Sequence, residues 1–176
     1  SLVGSEMCIR DRIGTQYWMR DNLEASSYVG GEALPRLDAV TANVVGYLQS
    51  ATEHYFYTAN VVLSNKILPA HWSIPDWKDW NILKDYLNGE ASLLKSGTWL
   101  PLKAGEQVQS ATNLSGFNGI PVGLYVGAFQ TDYEKKHLAY WTLDNANAAI
   151  DIKVFYLKSD TDIIEESNAG VDTKAF

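Results

Sequence analysis

Polar and apolar residues alternate through residues 13–20, Ile-Gly-Thr-Gln-Tyr-Trp-Met-Arg, with Thr15, Tyr17 and Met19 on one side and Gln16, Trp18 and Arg20 on the other. That period of two predicts a strand. Residues 24–36 break the pattern with Ser26, Ser27, Gly30, Gly31 and Pro35, which is loop chemistry. Residues 38–49 carry a weak helical pattern, and the aromatic run Tyr55-Phe56-Tyr57-Thr58 leads into residues 59–64, long enough for two helical turns. The clearest helix follows Pro75. Asp76 suits the N-cap, Asp79 lies three residues on, where a capping box places a Glu or Gln, and Trp77, Trp80, Leu83 and Leu87 form an apolar stripe. Asn88-Gly89 ends it.

From residue 96 onward Gly97, Pro101, Gly105, Gly116, Gly119, Pro121, Gly123 and Gly127 punctuate short apolar runs, the signature of loop-rich β structure. Residues 137–142 predict a strand. A second is predicted where Ile150, Ile152, Val154 and Tyr156 alternate with Asp151, Lys153, Phe155 and Leu157. Early helices and late strands predict an α+β fold, two helices packed on short irregular antiparallel strands with long loops. No repeat or linker divides the chain, so a single domain is expected.

Composition narrows the function classes. The 176 residues are 46% hydrophobic and 12% aromatic, enough for a folded core, and no apolar run approaches membrane-spanning length. Fourteen basic residues are scattered among 21 acidic ones, for a net charge of -7. Phosphate backbones and anionic lipids attract clustered Lys and Arg, so nucleic acid is excluded as a partner. The expected partner is neutral, cationic or reached through calcium.

Residues 1–12, Ser-Leu-Val-Gly-Ser-Glu-Met-Cys-Ile-Arg-Asp-Arg, have neither a strand or helix period nor the plan of a signal peptide. They read as the translation of a transposon-end adaptor used for shotgun sequencing libraries. We set them aside as non-native and assign residues 13–176 to the domain, a fragment of an environmental read from which any signal peptide has been lost. Cys8 goes with them. Residues 13–176 hold no cysteine, hence no thiol nucleophile, no thiolate zinc site and no disulfide.

Four segments, in order, resemble the Fibrobacter succinogenes major paralogous domain family. Residues 13–23, Ile-Gly-Thr-Gln-Tyr-Trp-Met-Arg-Asp-Asn-Leu, resemble its opening pattern; residues 68–75, Leu-Pro-Ala-His-Trp-Ser-Ile-Pro, continuing through Trp80, Leu83, Tyr86 and Leu87, resemble its Cys-Pro-x-Gly-Trp-x-x-Pro segment. Residues 112–117 with Pro121 and Gly123 resemble its Ser-Gly-Phe-x-x-x-Pro-x-Gly segment, and residues 139–142 its later aromatic strand. Leu68 stands in place of the family's Cys and His71 in place of its Gly. Residues 171–176 look like the start of a closing strand whose end has been cut off. The resemblance implies a C-type-lectin-like α+β fold, with its two chain ends paired, on an exported, surface-attached bacterial protein, so an extracellular or cell-surface location. The truncation would leave the opening strand short of a partner.

Candidate chemistry is sparse. His54, His71 and His137 belong to no metal-ligand motif, and a Gly-x-Ser-x-Gly elbow centred on Ser115 fails because Asn113 and Phe117 flank it. Asp160, Asp162, Glu165 and Glu166 could offer oxygens to calcium, the one cofactor considered, although a solvated acidic loop is the simpler reading. Asp162 and Glu165 could also pair as glycosidase carboxylates. Calcium-dependent sugar sites of lectins carry Glu-Pro-Asn or Gln-Pro-Asp plus Trp-Asn-Asp, and Trp141-Thr142-Leu143-Asp144-Asn145 is the nearest echo. Asn113-Leu114-Ser115 is a glycosylation sequon that a bacterial source would leave silent.

Aromatic residues carry the remaining signal. Trp18, Trp72, Trp77 and Trp80 fall on patterned faces and read as core, whereas Trp99, Tyr125, Tyr133, Trp141 and Asn145 lie in or beside Gly-rich loops and are the candidate ligand-binding residues. The expected function is a non-enzymatic, exported module that binds a polysaccharide or a surface protein. A structural, adhesin-like interaction domain is the alternative. A relative of formylglycine-generating enzymes is an enzymatic option, but that chemistry needs the thiols the domain lacks.

Overall fold

The computed structural model describes residues 10–41, 43–143, 152–169 and 174–175. Its opening is a tight hairpin. Gly14, with φ at 61°, and Thr15 turn the chain between β1 (Arg10–Ile13) and β2 (Gln16–Met19), which pair antiparallel with Ile13 opposite Gln16. A positive φ at the first of two turn residues matches the twist of the flanking strands and suits glycine. The single strand expected over residues 13–20 is thus split at Gly14. Three of the four β1 residues, Arg10 to Arg12, come from the segment set aside above.

The helix expected over residues 38–49 does not form. Val40, Thr41, Val44 and Val45 are β-branched, and Gly46 packs its Cα so closely on the Pro35 carbonyl that a side chain there has no room. The chain instead enters β3 (Tyr47–Gln49), which pairs antiparallel with β4 (Tyr55–Tyr57). Two short helices follow, α1 (Ala59–Ser64) and α2 (Trp77–Tyr86). The second begins as its sequence predicts: the Asp76 carboxylate accepts from the Asp79 N–H at 2.9 Å, and the Asp79 carboxylate accepts from the Asp76 N–H at 3.1 Å. The reciprocal pair satisfies two of the donors that a helix N-terminus leaves free.

The later chain supplies β5 (Tyr125–Val126), β6 (His137–Thr142), β7 (Ile152–Lys158), β8 (Glu165–Ala169) and β9 (Lys174–Ala175). β6, β7 and β8 form an antiparallel meander, and β9 pairs with β5. The α+β, lectin-like expectation is therefore corrected: among the described residues, helices of only six and ten residues accompany nine strands arranged in four small antiparallel sheets, so the fold is β-rich. Among the described residues the opening strand pairs within its own hairpin and β9 pairs with β5, in place of the expected pairing of chain ends.

Both faces of the β6–β7 ladder are buried. Leu138, Phe155 and Leu157 enter one core with Trp18, Trp80 and Leu83, whereas Ala139, Trp141 and Val154 enter a second with Tyr57, Val61 and Val62. Successive strand residues point to opposite faces, so α2 covers one face and α1 the other. Trp80 stacks on Phe155 with ring centroids 4.0 Å apart. A third, smaller core joins Leu48, Phe56, Tyr125 and Ala175.

Replacing Asp76 with alanine should lower stability by about 1 kcal/mol, the usual cost of an N-cap. Urea unfolding followed by far-UV circular dichroism would measure it, and an unchanged midpoint would mean that the cap contributes nothing.

Candidate functional site

A cleft of about 600 Å³ opens where the two large cores meet. β2 and the segment after it form one wall, β4, α1 and residues 67–75 the opposite one, and β6 and the start of α2 the floor. Buried rings line the inner end: Trp80 lies 4.7 Å from Trp18 and 5.9 Å from Tyr140, centroid to centroid. Tyr17, Trp72 and His71 stand at the rim, Trp72 half-buried and the other two exposed.

Hydrogen bonds fix the walls. The Tyr57 hydroxyl accepts from the Ala25 N–H at 2.6 Å and lies 3.0 to 3.1 Å from the carbonyls of Ala25 and Leu23, either of which can take its proton. Tyr140 donates its hydroxyl proton to Asn22 Oδ1 at 2.8 Å, and the Trp141 indole donates to the Tyr57 carbonyl at 2.8 Å. Gln16 Nε2 donates to the Asp79 carbonyl at 3.0 Å, tying β2 to the helix start. Burial raises the pKa of both phenols, Tyr57 and Tyr140, so they remain neutral donors.

The structure does not bring the sequence-predicted ligand residues together. Trp99 is buried, its indole donating to the Ser96 carbonyl at 2.9 Å. Tyr125 is buried in the third core, where its hydroxyl donates to the Gly127 carbonyl and accepts from the Val40 N–H. Tyr133 is part-exposed beside His137, with ring centroids 4.3 Å apart. Trp141 is buried but does line the cleft from below. Asn145 lies outside the described residues. Tyr17, Asn22, His71, Trp72 and Tyr140, which the sequence did not single out as ligand residues, line the cleft, and a signal for that placement existed. All four segments that carry the family resemblance reach the cleft: Gln16 to Leu23, Leu68 to Pro75 with Trp80, Phe117, and Ala139 to Trp141.

The acidic loop is organised from inside the protein. The Asp162 carboxylate accepts from the Ser92 N–H and from the Ser92 hydroxyl, and the buried Lys95 ammonium donates to the Thr161 carbonyl at 2.6 Å. Burial lowers the Lys95 pKa, opposed by Asp162 and Asp160. Glu165 pairs with Lys158 at 2.9 Å, so the two carboxylates considered as a glycosidase pair are each engaged elsewhere. Among the described residues no three His, Cys, Asp or Glu side chains cluster as a metal site. His137 bonds Tyr156 through Nδ1 at 2.9 Å, and burial, helped by Lys158 and Lys136 against Asp160, pushes its pKa down to about 4.

Fold and cleft together define a small β-rich domain with an aromatic-walled groove between two cores. Residues 12–171 match the Fibrobacter succinogenes major domain, and the chain belongs to that family. No curated protein and no solved structure gives a match.

Three outcomes follow from these charges. The unfolded chain protonates His137 near its ordinary pKa of about 6.5, whereas the folded chain resists until about 4, so stability should fall as pH drops through that interval and level off below it. Urea midpoints of the native chain and His137→Gln between pH 7 and 4 should converge as the pH falls; parallel curves would deny the shift. Asp162→Ala leaves the Ser92 N–H unpaired and should cost about 1–3 kcal/mol. Because Lys95 already supplies the cation facing this loop, millimolar calcium should leave the thermal midpoint of the native chain unchanged, and a calcium-dependent rise would reinstate a metal site.

Proposed function

We propose that the domain is a non-enzymatic, exported ligand-binding module of the bacterial surface, and that the cleft takes its ligand, a glycan or a segment of a surface protein. The observation that carries this reading is the cleft itself, a groove of about 600 Å³ with rings at its inner end and rings at its rim. Binding sites of small ligands are commonly concave, mostly apolar and furnished with a few placed polar groups. Sugar rings present apolar faces that stack on such side chains, and their hydroxyls meet polar neighbours. Binding is favoured over catalysis because two of the cleft's polar groups are spent on structure, Asp79 capping its helix and Asn22 holding Tyr140. Export and surface attachment rest on family membership. The described residues include no helix long and apolar enough to cross a membrane.

A protein-binding reading draws on a different feature. Tyr17, Ile82 and Tyr86 are exposed, and Tyr86 packs over the Gly14 turn, where an added Cβ would lie 2.9 Å from its ring. This apolar strip borders the cleft and would suit a flat protein partner.

Affinity electrophoresis in gels containing plant or mucosal polysaccharides separates the two readings. A glycan ligand should retard the native domain, and Trp72→Ala or Tyr17→Ala should weaken binding at least about tenfold with the fold intact by circular dichroism. Absence of retardation on every polysaccharide would overturn the glycan reading and leave the protein partner.

A further inference from the structure

The rim of the cleft contains a backbone conformation that its residue does not favour. Trp72 donates its N–H to the Pro69 carbonyl at 3.1 Å, closing a four-residue turn with Ala70 and His71 in the middle. His71 has φ at 71°, whereas Ala70 does not take a positive φ. That combination is a type II turn, whose third position belongs by preference to glycine because a Cβ crowds the backbone there. It is also the position where the resembled pattern carries glycine. The imidazole gains nothing inside the protein in return: it is exposed and makes no hydrogen bond or ion pair among the described residues. It lines the cleft beside Trp72. A strained side chain with no structural partner at the mouth of a groove points to a contact outside the chain.

We propose that His71 is a ligand-contacting, specificity-determining residue of the cleft, hydrogen-bonding a hydroxyl of a neutral glycan whose ring lies against Trp72. The inference rests on the ligand-binding reading above and names its ligand class. One imidazole nitrogen donates and the other accepts, which matches a hydroxyl, itself donor and acceptor. Anionic glycans are disfavoured by charge, since the chain carries -7 and Asp21 and Asp79 line the cleft against the one cation Arg10. His71 and Trp72 are consecutive residues of the turn and both line the cleft.

The test compares native chain, His71→Gly, His71→Ala and Trp72→Ala by affinity electrophoresis on xyloglucan and galactomannan, both neutral, and on polygalacturonate. Retardation of the native chain by a neutral glycan is expected, with binding weakened about five- to tenfold in both His71 variants, the loss of one hydrogen bond. The thermal midpoint of His71→Gly should equal or exceed that of the native chain, because glycine relieves the turn; a lower midpoint would overturn the strain argument. Binding lost in Trp72→Ala but retained in both His71 variants would overturn this inference alone. Retardation by polygalacturonate only would overturn the neutral class, and retardation by none of the three would count against the glycan reading itself.

Discussion

The ladder between β6 and β7 is buried on both sides, and the rest of the domain is arranged to cover it. Leu138 faces Leu157 and Tyr140 faces Phe155 across the ladder, and these side chains meet the core under α2. Ala139 opposite Tyr156 and Trp141 opposite Val154 meet the core under α1. Such a sheet cannot use one face for solvent, so each helix is needed, however short, and each must bring large side chains. Trp80 on Phe155 is the tightest of these contacts, and the paired aspartates that start α2 set where Trp80 falls. The groove is a consequence of the same arrangement: the covers of two opposite faces come from different stretches of chain and do not fully close where they meet.

Elements encoded locally were legible in the sequence. The α2 helix announced itself through Pro75, Asp76, Asp79 and the stripe from Trp77 to Leu87, because a capping box and a period of 3.6 are properties of neighbouring residues. β6 and β7 were legible for a similar reason. Residues 38–49 misled because their apolar spacing is compatible with a helix, whereas the close approach of Gly46 to Pro35, which forbids one, is a tertiary contact. The α+β expectation failed because short strands in four small sheets outweigh the helices of six and ten residues among the described residues. Gly14 shows a smaller version of the error: alternation continues through it, and only its φ reveals a hairpin.

The site was less legible than the fold. Placing ligand residues in the glycine-rich second half followed the rule that binding residues sit on loops, but these turns fold their rings inward. Trp99 reaches back to the Ser96 carbonyl, and Tyr125 bridges Gly127 and Val40, so both are consumed by the loops that carry them. The cleft draws instead on Tyr17, Trp72 and Tyr140, which are distant in sequence and adjacent only because the two cores meet. No period along the chain encodes that meeting. The four resemblance segments did mark it, since every one of them ends at the groove.

The acidic balance of the chain also changes meaning in the fold. A net charge of -7 suggests a neutral, cationic or calcium-bridged partner when read from composition alone. Two of the four carboxylates of the acidic loop are committed internally, Asp162 to Ser92 with Lys95 nearby and Glu165 to Lys158, whereas Asp160 and Glu166 are exposed; Asp76 and Asp79 bond each other's backbone. Charge here holds loops and a helix start in place. At the mouth of the groove Trp72 is half-buried and His71 exposed, and the exposed Tyr17 ring carries the Arg10 guanidinium 5.0 Å from its centroid.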